Sequence, residues 1–593
     1  MSGRSSRALM VRCLAPVGVM GVAVAGAAGG DVLRVDAGAT GANDGTSWAD
    51  AFVDLQDALG AAQAGDEVWV ASGVYTPSAT DATASFVLRS GVGLYGGFAG
   101  WESSREQRDW RTNETVLSGD IGRDDVIGSG QYWYTTWERN SANCGHVVVG
   151  SGVDETAVLD GFTISNGATG PDGTPAGDPL MFGSGLYVVA GCPTVRNCTF
   201  LHNLAAFAAG GAVYCLDAGP TFTGCAFLEN YVHLGDGAGL HVAGAASPVV
   251  EDCTFTYNVV VSGTGDAEGA GLAHWGSEPL TVTRCNFTGN LAKSFYTVGS
   301  DLGWGGGVFC FTATITVRDC VFVGNTAHVG GGLITFGQAT VVNSVFLANK
   351  AVPKPNDPYP EGGGFGAGVM IYSYPAHEMT VADCTIAFNT GKKHVGVLGG
   401  WNGKVNLRNS IVWGNVASHP DFHGYYREQI AGSFKAEWSC IQNIFGLSEV
   451  GGDPLEPEKI PGCIDGDPRF VDGSDLHLAP GSPCIDAGKN ALVPAGVESD
   501  LDGLARFADD PASEDTGVAG AGHAEVVDMG AFEVQAPDCA ADFNGDGAVN
   551  TLDVLAFLNA YSAHDPRADF NGDGVVNTLD FIAFLNAFVA GCP

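Results

Sequence analysis

Basic charge is scarce in this chain. Of 593 residues, 27 are Lys or Arg against 66 Asp or Glu, a formal net charge of −39. A nucleic-acid partner needs clustered Lys and Arg to replace phosphate counterions, so none is expected. Long apolar runs are also missing. The longest, from Leu14 to about Ala25, is too short to span a bilayer, so no membrane span is expected. His146, His202, His233, His241 and His274 are scattered without HExxH or similar spacing. No Gly-rich phosphate loop, nucleophile elbow or CxxC zinc pair is present, so the chemistries those motifs carry are set aside. Helical periodicity of useful length is absent from about residue 140 to 445.

Glycine is what the chain has in excess, with 88 residues, about twice the usual share. With 45% hydrophobic residues the chain is not disordered, so the glycines serve repeated turns. A short motif, Cys-x-Phe-x-x-Asn, recurs from Cys198, Cys225, Cys253, Cys285 and Cys320, with degenerate copies from Ser344, Cys384 and Ser410. Between copies sits a second motif, as in Gly210-Gly-Ala-Val213, Gly269-Ala-Gly-Leu272 and Gly330-Gly-Gly-Leu333. A fixed motif at variable spacing predicts stacked coils with loop insertions. Cys and Phe, two apart, share one side of a strand. The spacing therefore predicts an all-β solenoid, a right-handed parallel β-helix with about three short strands per turn. Phe forms an internal ladder, Asn caps a turn, and Cys plugs the core as a free buried thiol or pairs between coils.

These repeats resemble those of polymorphic outer-membrane proteins and other pectin-lyase-like β-helices, a fold that hosts lyases, hydrolases, adhesins and stalks alike. The segment from Asp44 through Trp48, Trp69 and Tyr75 to Asp120 looks like the start of such secreted proteins, and Asp54 to about Ala62 reads as a capping helix. Residues from Gly462 to Glu533 resemble a choice-of-anchor region. That resemblance suggests a Cys463–Cys484 disulfide, and either a cation on Asp500, Asp502 and Asp528 or an Arg506–Asp528 ion pair.

Near the C-terminus an acidic loop is written twice. Oxygen-bearing side chains fall at positions 1, 3, 5, 9 and 12: Asp542, Asn544, Asp546, Asn550 and Asp553, then Asp569, Asn571, Asp573, Asn577 and Asp580. Ala548 and Val575 stand at position 7, where a backbone carbonyl ligates. This spacing wraps six to eight hard oxygens round Ca²⁺, so two ions are expected. Each loop runs straight into one short helix. The loop-then-helix pair resembles a type I dockerin over residues 539–593. The resemblance implies docking onto a cohesin-like or surface-sorting partner, with Thr551, Leu552, Thr578 and Leu579 choosing it. Cys539 and Cys592 bracket the module and are read as a disulfide clasp.

The basic residues Arg4, Arg7 and Arg12, the apolar run and the small residues Ala25–Ala28 read as an export signal. The expected organisation is therefore a signal peptide over 1–28, an N-terminal cap and first coils over 29–140, and the β-helix over 141–445. A closing cap over 446–535 and the dockerin-like module follow, in a protein that is secreted or at the cell surface.

Three readings of function remain open. The solenoid presents a glycan- or partner-binding face. Alternatively it is a polysaccharide lyase or glycoside hydrolase, or it is an inert adhesin or stalk. Elimination needs a base for the C5 proton and Ca²⁺ on clustered acids. Basic charge and aromatics gather at 392–440, making Lys404, Arg408 and Arg427 candidate bases and Trp401, Trp413, Tyr425, Tyr426 and Trp438 candidate sugar platforms. Asp120, Asp124 and Asp125 with Tyr132-Trp133-Tyr134 form a second candidate. Clustered acids with Lys or Arg along one parallel face favour an enzyme; a flat Thr, Asn and Gly face favours a binder.

Overall fold

The computed structural model describes residues 30–125, 143–169, 181–206, 209–263, 265–295, 301–311, 313–354, 363–373, 377–418, 429–446, 449–450, 453–454, 458, 460–535, 541–544 and 549–590. One coil shows how the repeat builds the molecule. Val213–Leu216 and Thr221–Thr223 lie in one sheet, Ala226–Leu228 in a second and Tyr231–His233 in a third. The next coil repeats this in register, with Cys215 beside Val242 and Phe227 beside Phe255. Among the described residues the coils make three parallel sheets of 22, 12 and 9 strands. The fold is a right-handed parallel β-helix. Each full coil carries four short strands, one more than expected, because a bend divides the first sheet's share in two.

The repeat motif supplies the corners and the core. The residue before each Cys takes a left-handed conformation (Asn197, Asp252, Arg284, Asp319), as does the one before each Asn (His202, Glu229, Tyr257). A non-glycine residue there costs about 1–2 kcal/mol, so the stacked side chains must offset it. Phe227, Phe255, Phe287, Phe322 and Phe346 are wholly buried and stack face to face with centroids 4.4 to 4.7 Å apart. Cys198, Cys225, Cys253, Cys285, Cys320 and Cys384 are free and buried, each donating to the carbonyl two residues earlier or to one in the preceding coil. Burial pushes the Cys198 thiol up to about 12, which keeps it inert. Asn203 through Asn415 form a continuous amide ladder, each Nδ2 donating to the next Oδ1 at 2.8 to 3.1 Å. Where the third residue of the Gly-rich motif is Gly, the next coil leaves no room for a side chain: a Cβ on Gly271 would stand 2.5 Å from the Gly307 carbonyl.

Both solenoid ends are covered. Helix α1 (Leu55–Ala61), capped by Asp54, buries Leu55, Ala58 and Leu59 against the first coil. At the other end the closing cap lies along the last coils. Arg506 is its pin: fully buried, it donates to the Asp528 and Gly530 carbonyls at 3.1 and 2.6 Å and pairs with Asp383 and Glu533 at 3.7 and 3.6 Å. Arg506 thus takes the backbone of Asp528, while that carboxylate accepts the amides of Asp486 and Val534. The expected Cys463–Cys484 disulfide is absent, and both thiols are free. Cys463 packs into the main core, whereas Cys484 packs with Cys440 in a separate cluster under the cap. Asp500, Asp502 and Asp528 do not converge either, since Asp500 caps a turn and Asp502 bonds His477. Among the described residues no helix is long and apolar enough to cross a membrane. Residues 1–28, Cys539 and Cys592 lie outside them.

Candidate functional site

The first strand of each coil alternates inward and outward. Leu240 and Val242 enter the core, leaving His241 on the outer face, in register with Tyr214, Ala273, Phe309, Ile334 and Met370 along the solenoid. A second outward column begins at Trp275, whose ring lies tilted 4.3 Å from Phe311. Phe311 lies 5.6 Å from Phe336, and Phe336 lies 5.4 Å from Tyr372. In its middle the column packs against Trp304, whose ring lies 5.8 Å from Phe336 and 6.3 Å from Tyr372, over the buried Phe309, Ile334 and Met370.

A second row precedes each Gly-rich turn. Parallel bridges align Asp236, Glu268, Trp304, Val329, Phe365 and Lys393, one per coil. At the acidic end Asp236, Asp266, Glu268, Ser262, Leu234 and Trp275 line a cleft of about 510 Å³. Glu268 is only 7% exposed, and its Oε2 has no hydrogen-bond partner. Asp236 accepts the Glu268 amide at 3.1 Å, and Asp266 accepts that of Leu302 at 2.7 Å. Burial, and then the charges of Asp236 and Asp266, raise the Glu268 carboxyl above the usual range. Burial, opposed by the Glu268 amide and reinforced by Asp266, raises Asp236 as well. At the other end a second cleft of about 450 Å³ is lined by Phe365, Met370, Tyr372, Lys393 and His394.

The site expected at 392–440 is described only in part. Lys404 is exposed on the coil's second strand, beyond a register shift from Gly399, and pairs with Glu378 at 3.8 Å. Arg408 ends that strand. Trp413 and Trp438, partly buried, pack into the cluster beneath the closing cap. The Trp401 side chain, Tyr425, Tyr426 and Arg427 lie outside the described residues. Asp120, Asp124 and Asp125 do come together, with carboxylate oxygens within 4.8 Å of one another; Tyr132-Trp133-Tyr134 lies outside the described residues.

The C-terminal module repeats its geometry as it repeats its sequence. Helices α2 (Thr551–Ala563) and α3 (Thr578–Ala590) stack Phe557 on Phe584 at 4.4 Å. In the second loop Asp569 accepts the Asp573 and Gly574 amides at 3.1 and 2.8 Å, and Asp573 accepts that of Val575 at 2.9 Å. The wholly buried Asp580 holds the Asn571 and Asn577 amides, as Asp553 holds those of Asn544 and Asn550. Hard oxygens wrapped by a turning chain suit Ca²⁺, and Asp569, Asn571, Asp573, Val575, Asn577 and Asp580 would hold it. In the first loop Asp542, Asn544, Asn550 and Asp553 are described; Asp546 and Ala548 are not. Thr551, Leu552, Thr578 and Leu579 are exposed. Leu552 and Leu555 in one copy match Leu579 and Ile582 in the other, and all four are more than half exposed.

Comparison with known proteins agrees with this architecture. The right handed beta helix region family matches residues 139–354, and the Dockerin type I domain family matches residues 540–588. Among solved structures, the pectate lyase Pel9A aligns at 14% identity with a TM-score of 0.40, covering 86% of this chain and 97% of its own. A rhamnogalacturonan lyase aligns at 12% identity with a TM-score of 0.23, covering 72% and 95%. No curated protein matches the chain.

Proposed function

We propose that this β-helix with its dockerin tail is an extracellular protein that binds a polysaccharide in the cleft beside Trp275 and hydrolyses it at Asp236 and Glu268. The observation that carries the reading is that carboxyl pair, in register on adjacent coils and facing one cleft beside Trp275. Neighbouring strands stand about 4.8 Å apart, which suits the roughly 5–5.5 Å carboxyl separation of retaining glycosidases. Glu268 is the group kept protonated, so it gives its proton to the glycosidic oxygen as the C–O bond breaks. Asp236, ionised, attacks the anomeric carbon. Water then releases the sugar, its proton returning to Glu268. Elimination is disfavoured because Lys393 stands four coils from Glu268, about 19 Å away at the strand spacing.

The test is a panel of polysaccharides read for reducing ends and, in parallel, at 235 nm for unsaturated products. Reducing ends without absorbance are expected. Absorbance gain would mean a lyase, and silence in both would leave a binding protein. Trp275→Ala should weaken glycan binding by about 1.4–2 kcal/mol, some ten- to thirty-fold in Kd by calorimetry. An unchanged Kd would remove that cleft from the reading.

In the same reading the tail holds Ca²⁺ in both loops and presents its duplicated apolar faces to a cohesin-type partner. Chelation with EDTA should melt α2 and α3, seen as loss of helical circular dichroism, and leave the solenoid's strand signal intact. Helicity that survives chelation would argue against ion-dependent folding.

A further inference from the structure

The closing cap carries a feature that neither the Asp236–Glu268 cleft nor the tail uses. Asp486 is 1% exposed, and neither of its carboxylate oxygens has a hydrogen-bond partner. Such a group is costly to bury unpaired. Asp509 and Asp515, both exposed, reach toward it, so that one oxygen from each of the three carboxylates falls within 4.8 Å of the others. The loop bearing them is fixed to the same residue, because the Thr516 and Gly517 amides donate to the Asp486 carbonyl at 3.0 and 2.9 Å. Within that loop Asp510 is occupied otherwise, accepting the Ala512 amide and the Ser513 hydroxyl.

We infer that Asp486, Asp509 and Asp515 form a third divalent-cation site, of Ca²⁺ type, that clamps the 509–517 loop onto the closing cap. Three carboxylates converging without a base repel one another unless a cation sits between them. An all-oxygen donor set with one buried and two solvent-facing ligands suits a hard ion that keeps some of its water. Sulfur and imidazole ligands, which would favour zinc, are absent from the trio. The ion would tie a surface loop to the cap that Arg506 already anchors on the coils.

The experiment is Ca²⁺ titration of the full chain by calorimetry, with hydrogen exchange followed over 509–517. The chain should take up three ions, and Asp509→Asn/Asp515→Asn should take up two. These positions are exposed, so folding should survive. Ca²⁺ should slow exchange of the loop severalfold in the parent and not in the variant. Asp573→Asn in the tail should also lower the uptake by one, yet keep the loop's Ca²⁺ protection, which separates failure of this site from failure of the tail. Asp486→Asn should abolish the protection as well. Unchanged stoichiometry in the Asp509/Asp515 variant, or loop exchange indifferent to Ca²⁺, would overturn the inference.

Discussion

Glu268→Gln should cost the protein its hydrolytic activity, a fall in kcat of about 10²- to 10⁴-fold, the range that a positioned general acid supplies. The amide fills the same space but carries no proton to give. Asp236→Asn should fall as far, through loss of the attacking carboxylate. The pH profile should be bell-shaped, with its rising limb set by ionisation of Asp236 and its falling limb by ionisation of Glu268. Burial and mutual repulsion raise both carboxyls, so the bell belongs above the ordinary carboxylate range. Stability should move the opposite way to activity. A carboxyl whose folded-state pKa exceeds its unfolded value gives stability that is complete at low pH and lost as pH rises through the folded pKa. Glu268→Gln removes that loss, so the variant should melt higher than the parent at alkaline pH. Half of the parental activity in Glu268→Gln, or equal melting at pH 9, would sink the assignment.

The solenoid was legible in the sequence because its motif is local. Cys, Phe and Asn stand at fixed offsets, and each fixes one corner or one core position. Short β-rich runs such as Thr221–Thr223 and Ala339–Val342 were legible as strands too, but that each makes a fourth strand in its coil was not. The tail loops were legible for the same reason as the repeat: ligand spacing is written within twelve positions. The aromatic column was not read, although its signal is present. An aromatic stands three residues after the Gly-rich motif in four successive coils, at Trp275, Phe311, Phe336 and Tyr372. The acid pair left no such trace. Asp236 and Glu268 become neighbours only once the coils are in register, and the intervening loops vary in length. At 392–440 composition gathers residues that the described part of the stretch places differently, with Lys393 and His394 lining a cleft. Trp413 and Trp438 went beneath the cap, and Lys404 went to the outer surface. Asp486 was hidden as well, because its partners stand 23 and 29 residues onward in a loop with no motif of its own.

Asn258→Ala should be among the most damaging single changes in the solenoid, lowering unfolding free energy by roughly 3–6 kcal/mol at about 1–3 kcal/mol for each buried group left unpaired. Asn258 is wholly buried. Its Oδ1 accepts both the amide and the side-chain Nδ2 of Asn230, at 3.2 and 2.9 Å. Its Nδ2 donates to the Phe227 carbonyl at 2.8 Å and to Asn290 at 3.0 Å. Alanine therefore orphans two donors in one coil and removes a donor from two acceptors on either side, in an interior that water does not enter. Coils couple chiefly to their neighbours, so the lesion weakens the interfaces on both sides of its own coil. Asn415 gives the comparison. It ends the asparagine run and hands on to Gln429, which both receives its Nδ2 at 2.7 Å and donates to its carbonyl at 2.9 Å. A glutamine is longer and can follow a retreating neighbour, so Asn415→Ala should cost less than Asn258→Ala. Urea unfolding of the two variants measures the difference. A loss below about 1 kcal/mol at Asn258, the net worth of an ordinary hydrogen bond, would mean that the ladder follows the fold and does not hold it.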